Sequence, residues 1–472
     1  MSKRTLVMKF GGTSVGTAKA MLQAAGIVDQ ARQDWDRVLV ITSAMAGVTN
    51  LLIESATQAA LGDADLFTQS ADHLYSKHND VIEALLPDPT QQAQVRHEIK
   101  LLLNEFSNLC QAISVLGEAT ARALDAVTSL GERLSVRLLA AVLQTQGVTA
   151  RYVEATRLIV TDDHFSDAHP DLGETAQLAN SVLEPFLAAG QVPVITGYIA
   201  ANRSGVTTTL GRGGSDYSAA LLGAALPADE VWIWTDVDGV MTADPRLAPN
   251  ACTIEKLSYR EVAELAYFGA KVLHPKTIRP VIEAGIPLRV RNTFNPDNPG
   301  TLVVKNGSVE GNNSFKAVTL IQQQRLVTIE GRGMLGVPGV AARTFAAVAA
   351  TGTSVPLITQ ASSEQSICFA VPCETTQQVM DSLDNTFKDE VARNDIDRIW
   401  ATDEVVIITV VGAGMRNTPG IAGRVFSALG SQGVNVIAIA QGSSEVSISL
   451  VVDSQDAKRA VLALHELIYC DK

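Results

Sequence analysis

Cysteine is scarce: five in 472 residues, Cys110, Cys252, Cys368, Cys373 and Cys470, an odd number, scattered and without CxxC spacing. That excludes a disulfide framework and a thiolate zinc site, and leaves reduced, structural thiols. The seven histidines lack metal-ligand spacing too, and His73 and His78 fall in a polar helical stretch that reads as solvent-facing. No apolar run reaches the about 20 residues a membrane helix needs. The opening MSKRTLVMKFGG is cut short by Gly11, Gly12 and Thr13, so it reads as a first strand, with the cytoplasm as default compartment. Positive charge is also short, with 37 Lys and Arg against 50 Asp and Glu and a formal net charge of -13. That balance argues against nucleic acid or an anionic membrane as partner. Aromatics make up 5% of a chain that is 46% hydrophobic. Its cores must therefore be built from Ala, Val and Leu, and its length predicts two or three domains.

What is present is an alternation. TLVMKF (Thr5 to Phe10), RVLVITS (Arg37 to Ser43), VPVITGYI (Val192 to Ile199), EVWIWTD (Glu230 to Asp236) and IPLRVRN (Ile286 to Asn292) read as strands ending in polar or glycine-rich turns. Helical patterns separate most of them. This predicts an α/β fold, a largely parallel sheet between helices, with ligands beyond the C-terminal ends of the strands. Between Asn50 and Gly147 the pattern is almost wholly helical. Near its end SLGERLSVRLL sets Glu132 at a helix start, where an acid is favoured by the dipole whether or not it meets a ligand.

After Asn292 the composition changes. NPDNPG (Asn295 to Gly300) and NGSVEGNNS (Asn306 to Ser314) are Gly/Asn/Pro-rich breaks, which predict one domain over residues 1–305 and two more over 315–400 and 401–472. The later two are copies of each other. The stretch from Gly336 aligns without gaps on that from Asn417, Pro338 on Pro419 and Gln360 on Gln441. Each reads strand, helix, strand, strand, helix, a ferredoxin-like βαββαβ unit short of one strand. The first copy can finish with a strand near Asp395 to Thr402. The second stops at Lys472, so FKAVTLI (Phe315 to Ile321) is predicted to supply its edge strand, threading the first copy inside the second.

The polar residues that interest chemistry sit at strand ends. In TTTLGRGGSDYSAALLGAAL a glycine turn, Gly211 to Asp216, meets a helix start, an anion site by construction with Arg212 as a fork of donors and Asp216 as a carboxylate. A tight strand-to-helix connection with an incidental charge pair is the plainer alternative. KFGGTSVG sets Lys9 before Gly11 and Gly12, offering a cation and amides to a triphosphate, or forming an ordinary βα turn with a partly exposed lysine, and neither a Walker A loop nor GxGxxG occurs. TSAMAGVTN (Thr42 to Asn50) is a small, hydroxylated loop that suits a carboxylate, an amine or a plain helix cap. WTDVDGVMTADPR closes a strand with Thr235, Asp236 and Asp238, then Asp244 and Arg246, which suits a nucleotide, Mg²⁺ or a simple turn. FGAKVLHPKT puts Lys271 at a helix end, where simple dipole complementarity is the plainer account.

KFGGTSVG, TLGRGGSDY, WTDVDGVMTADPR and FGAKVLHP together resemble the aspartate kinases, of the amino-acid kinase family, over nearly the whole chain, and the repeat resembles their paired ACT regulatory domains. The resemblance implies transfer of the γ-phosphoryl group of ATP, with Mg²⁺, to the side-chain carboxylate of L-aspartate, the first step toward lysine, threonine and methionine. It implies catalytic roles for Lys9 and Asp216, with Asp216 also organising the metal. Ser43, Thr49, Glu132, Arg212, Gly214 and Ser215 would hold aspartate, with Glu132 on the ammonium and Arg212 on a carboxylate. Lys9, Phe10, Gly11, Gly12, Thr235, Asp236, Met241, Arg246 and Lys271 would hold ATP. Met241 departs from the tyrosine common at that place, which makes the adenine contact there apolar. Gln360 and Gln441 would read an amino-acid effector. Related lysine sensors often carry an aspartate where this chain has Pro356, and the segments SVPLITQASSE and VNVIAIAQGSSE look closer to the threonine-sensitive type. No dehydrogenase sequence follows the second copy, which reads as a monofunctional kinase, and ACT sheets usually pair into at least a homodimer. Two rivals remain at this point: another amino-acid kinase, and a non-catalytic amino-acid sensor with a kinase-like fold.

Overall fold

A computed structural model describes residues 3–269, 273–305, 315–335, 337–360, 365–416, 418–442 and 446–469. The chain opens with β1 (Thr5–Phe10), α1 (Ala18–Asp34) and β2 (Arg37–Thr42). Five helices follow: α2 (Val48–Ala60), α3 (Ala64–Leu85), α4 (Pro89–Leu116), α5 (Ala121–Thr128) and α6 (Leu130–Thr145). Their breaks are written in the residues. Asp63 and Asp88 accept first-turn amides, Pro89 opens α4, and Gly117 closes it at φ 72°.

Next come β3 (Ala150–Val153), β4 (Val160–Thr161), α7 (Leu172–Ala188), β5 (Val192–Thr196), β6 (Ile199–Asn202), β7 (Thr207–Thr209), α8 (Gly214–Ala225) and β8 (Glu230–Thr235). β9 (Lys256–Ser258), α9 (Tyr259–Tyr267), α10 (Pro275–Ala284), β10 (Leu288–Asn292) and β11 (Thr301–Val304) complete this part. The main sheet runs β3-β5-β2-β1-β8-β10-β11-β9. It is parallel from β3 to β10, and β11 is antiparallel to β10. All six residues of β1 are buried, as a central parallel strand requires. Strand alternation sends Leu6, Met8 and Phe10 into the core that α1 and the helical excursion share, and Val7 and Lys9 to the opposite face. α8 covers that face: a methyl at Gly223 would lie 2.8 Å from Val231 Cγ2 and 3.9 Å from Val7 Cγ2.

His78 corrects one expectation. It is fully buried, because Ser70, Leu74, His78 and Ile82 recur every fourth residue and form the inward stripe of α3. Its Nδ1 lies 2.6 Å from the Leu74 carbonyl, and Nε2 has no partner among the described residues. Burial lowers its pKa to about 4, so the ring stays neutral. Cys110, Cys252, Cys368 and Cys373 are free thiols, and Cys470 lies outside the described residues.

By contacts the chain forms two compact units, one of residues 1–240, 255–259 and 272–306, the other of 241–254, 260–271 and 307–472. The second unit holds β12 (Ala317–Glu330), α11 (Val340–Ala350), β13 (Ile358–Gln360), β14 (Ser366–Pro372), α12 (Thr376–Thr386), α13 (Lys388–Ala392) and β15 (Arg398–Ala401). The repeat's second copy adds β16 (Val405–Val411), α14 (Ile421–Ser431), β17 (Ala438–Ala440), β18 (Ser447–Asp453) and α15 (Ala457–Tyr469). One antiparallel sheet, β13-β14-β12-β16-β18-β17 with β15 also on β12, serves both copies. β12 joins them. Its first half, Ala317 to Ile321, pairs with β16 of the second copy, and its last half, Gln324 to Glu330, with β14 of the first. Between them the register slips, with Gln323 at φ 57°.

The stretches 241–254 and 260–271 join this unit through buried polar contacts. Val318 N donates to the Thr242 carbonyl and Thr319 Oγ1 to that of Phe268. Glu261, wholly buried, pairs with Lys316 at 3.2 Å and accepts the Ala413 amide. Among the described residues no helix is long and apolar enough to cross a membrane.

Candidate active site

One cavity of about 490 Å³ opens beyond the C-terminal ends of β1, β2 and β5, all within the first unit. Lys9, the fifth residue of β1, reaches it on the α8 side, and its Nζ lies 2.6 Å from Asp216 Oδ1 in the first turn of α8. The turn before α8 is shaped by Gly211 and Gly213, both at φ 72°, where other residues are strained. It therefore brings Arg212, Gly214 and Ser215 to the cavity. Ser215 lies against the strand end below it: a methyl at Gly197 would come within 2.6 Å of Ser215 Cβ.

The loops after β1 and β2 run back to back. Ser43 N donates to the Phe10 carbonyl and Ala46 N to that of Gly12, and a methyl at Gly12 would sit 2.9 Å from the Ala44 oxygen. Glu132, in the first turn of α6, faces these loops. Its Oε1 accepts the Ala44 amide at 3.1 Å, while Oε2 is buried with no partner among the described residues. Burial pushes its carboxyl up to about 8, against the pull of the Ala44 amide and the Lys9 charge. The cavity thus has a cation and a carboxylate paired at one point, a second cation at Arg212, and an unsatisfied carboxyl at Glu132.

Lys9, Gly12, Ser43, Thr49, Glu132, Arg212, Gly214, Ser215 and Asp216 all line this one space. Phe10 and Gly11 do not. The Phe10 ring stacks on Trp234 at 6.0 Å within the core, and the Gly11 amide is taken by the Trp234 carbonyl at 3.0 Å. Thr235 and Asp236 follow β8 in the first unit, with Thr235 Oγ1 3.2 Å from Asp236 Oδ1. Met241 and Arg246 belong to the second unit, where exposed Arg246 grips Asp244. Lys271 lies outside the described residues. Asp238 accepts the amides of Asn292 and Asn295, a structural use of an acid that the sequence offered to a nucleotide or metal. Two cavity residues were not singled out from sequence, Ser166 and Tyr198. Tyr198 had a signal, since it follows the β5 strand end; Ser166 had none.

Residues 4–292 match the amino acid kinase family, and 327–387 and 408–467 each match an ACT domain. The chain belongs to the amino acid kinase family. Among relatives, it is 36% identical over 475 residues to the bifunctional aspartokinase/homoserine dehydrogenase 1 of Arabidopsis thaliana, covering 99% of this chain and 51% of that one. It is 32% identical to aspartokinase 1 of the same plant, covering 98% of this chain and 80% of that one. The chain spans about half the length of the bifunctional relatives it matches. Among solved structures, E. coli aspartokinase III in complex with aspartate and ADP superposes with a TM-score of 0.80 at 32% identity, covering 99% of this chain and 100% of that one. In this amino acid kinase family member the cavity lies on the kinase part, at the strand ends where parallel α/β sheets bind ligands. Among the described residues no group of three His, Cys, Asp or Glu could hold a metal ion. A single carboxylate, Asp216, still fits a magnesium ion carried mainly by nucleotide phosphates, since Mg²⁺ is commonly held by one or two carboxylates plus substrate oxygens.

Proposed function

We propose that this chain is an aspartate kinase, moving the γ-phosphoryl group of ATP to the side-chain carboxylate of L-aspartate to give 4-phospho-L-aspartate. The observation that carries the reading is the charge pattern of one cavity: an unsatisfied carboxyl, Glu132, in the same space as the cations Lys9 and Arg212. An amino acid with a second carboxylate presents the complementary set. The likeness to a solved aspartokinase bound to aspartate and ADP supports it.

The chemistry asks little of proton transfer. A carboxylate with an ordinary pKa near ~3.9 is already ionised at neutral pH, so the nucleophile needs no base. The difficulty is an anion meeting a polyanion, and charge neutralisation answers it. Lys9, held by Asp216, steadies the transferring phosphoryl group, with Gly12 allowing its close approach. Arg212 takes a substrate carboxylate, Glu132 the ammonium, and Ser43, Thr49, Gly214 and Ser215 the remaining polar edges. Asp216 would hold Mg²⁺, which when bound adds positive charge at the phosphates. Phe10 and Gly11 contribute through the backbone turn, and Thr235, Asp236, Met241, Arg246 and Lys271 contact the nucleotide.

The ACT pair regulates. Gln360 ends β13 and Gln441 directly follows the equivalent strand β17, and both read an amino-acid effector by donor and acceptor together, with threonine as the effector. The outer strands β13 and β17 expose Ile358 and Ile439, 50% and 45% accessible, which suits pairing of two copies into a homodimer. Incubation with ATP, Mg²⁺ and aspartate, trapping the acyl phosphate with hydroxylamine, tests the reading, repeated with threonine, lysine and both. No hydroxamate would end it, and product insensitive to threonine would end the effector assignment.

A further inference from the structure

Asp125, on α5, is 1% exposed, outside the cavity, and matched to no sequence motif above. Its carboxylate accepts four hydrogen bonds. Ser166 N reaches both oxygens at 3.1 and 3.0 Å, Thr209 N reaches Oδ2 at 2.9 Å, and Thr209 Oγ1 reaches Oδ1 at 2.7 Å. All the donors are neutral, and among the described residues no salt bridge joins it. A buried carboxylate without a cation is a costly way to secure a fold, so its position invites another account.

Each donor leads to a wall of the cavity. Ser166 lines it, in a left-handed conformation at φ 72° that a side chain rarely takes unless held. Thr209 ends β7 and is followed by Leu210, Gly211 and Arg212, and its carbonyl accepts the Ala168 amide at 2.9 Å. The Ser166 turn and the glycine turn pack directly: a methyl at Gly211 would run into Asp167 Oδ1 and lie 3.3 Å from the Ser166 oxygen. Lys276 of α10 ties Asp167 from outside at 2.5 Å. On its own side, Asp125 sits one short helix before Glu132, with the Ser129 amide bonded to the Asp125 carbonyl at 3.0 Å.

We infer that Asp125 is a positioning residue that fixes the spacing between Glu132 and Arg212, and so sets the fit of the amino-acid substrate. The inference rests on the aspartate reading of this cavity. One carboxylate links the α5–α6 element, which carries Glu132, to the strand that delivers Arg212 and to the Ser166 turn between them. Asparagine cannot replace it: its amide nitrogen would face the N–H groups of Ser166 or Thr209, donor against donor.

The test is full kinetics on the whole chain, wild type beside Asp125→Asn and Thr209→Val, each with its thermal midpoint. The wild type must form hydroxamate with aspartate; if it does not, the aspartate reading fails and not this inference. Given an active wild type, Asp125→Asn should raise the KM for aspartate by ~10- to 100-fold. The KM for ATP should move less than about 3-fold. Thr209→Val, which deletes one of the four bonds and keeps the volume, should raise the aspartate KM by ~3- to 10-fold with the same bias. If Asp125→Asn does not fold, Thr209→Val alone decides. Loss of kcat in proportion to folded protein, with the aspartate KM unchanged, would overturn the assignment and leave Asp125 a merely structural acid.

Discussion

Lys9 Nζ stands 2.6 Å from Asp216 Oδ1, with both side chains nearly closed to solvent. The lysine comes from the central strand and the aspartate from the first turn of the helix that covers the same face, so sheet and helix meet in one ion pair. Buried pairs of this kind hold geometry more than they add stability. Here the geometry held is a cation at the mouth of a glycine turn.

Lys9→Ala removes that cation and leaves Asp216 facing it alone. Transition-state charge stabilisation of this sort is commonly worth ~10²- to 10³-fold in turnover. The expected outcome is a fall of that size in kcat, with the KM values for aspartate and ATP changed far less. Steady-state kinetics with both substrates varied would check it, and near-normal turnover would sink the role given to Lys9.

Gly12 is required by its neighbours rather than by its dihedrals. A methyl there would meet the Ala44 carbonyl oxygen at 2.9 Å and the Ala46 amide at 3.4 Å, backbone atoms that cannot turn aside. Gly12→Ala is expected to part the two loops, lower kcat/KM by ~10-fold and cost ~1–3 kcal/mol of stability. Gly26 in α1 is the control, since a methyl there meets nothing within 4 Å. Gly26→Ala should stabilise by up to ~1 kcal/mol and leave the kinetics alone. Thermal unfolding and kinetics on the pair separate local crowding from a general intolerance of alanine.

The parallel sheet and the loops that line the cavity at its strand ends were legible in the sequence because each strand is an apolar run closed by a distinctive polar turn. Lys9, Glu132, Arg212 and Asp216 were legible for the same reason: each stands at a strand or helix end, where a side chain out of pattern is conspicuous. Residues that act from within elements were not. Asp125 lies mid-helix in ARALDAVT, and nothing in that run says that its carboxylate meets a backbone amide forty-one positions later. His78 was masked by its polar neighbours, since only the fourfold spacing of Ser70, Leu74 and Ile82 betrays the buried stripe. Counting strands in the repeat pointed to Phe315 to Ile321, and Ala317 to Ile321 pair with β16. The continuity of β12 across both copies was not visible, because the polar QQQR separates its two apolar halves and stays in the strand through a slipped register.

His78 predicts an acid weakness. Its native pKa of about 4 lies below the ordinary 6.5, so the unfolded chain binds the extra proton between those values. Stability attached to this group is complete above pH 6.5 and is lost as pH falls toward 4, on the order of 3 kcal/mol in all. His78→Leu deletes the titration, at the cost of the bond to the Leu74 carbonyl. Its acid unfolding midpoint should move to lower pH, with a change at pH 7.5 within about 1 kcal/mol. Circular dichroism against pH decides it; identical acid midpoints would show that other groups govern.

Glu132 carries the opposite sign and a trade between stability and function. Its folded pKa, about 8, lies above the ordinary 4.5, so the native chain holds a proton that the unfolded chain releases. Stability therefore falls as pH rises from 4.5 to 8, by ~1.4 kcal/mol for each unit of raised pKa at most. Glutamine keeps the shape without the titration, so Glu132→Gln should melt higher than the wild type at pH 8 and much closer to it at pH 5. The substrate ammonium would reverse the preference, since Oε2 is buried and waits for a donor. Binding aspartate below pH 8 should then expel the proton. The wild-type KM for aspartate should fall as pH climbs from 6.5 to 8, and calorimetry in buffers of different ionisation heat should register up to one proton released per site. Glu132→Gln should show neither effect and a KM raised by ~10²-fold or so, the worth of a charge-assisted bond in a closed site. A wild-type KM flat across that range, with no proton released, would remove Glu132 from the ammonium site while leaving its stability effect intact.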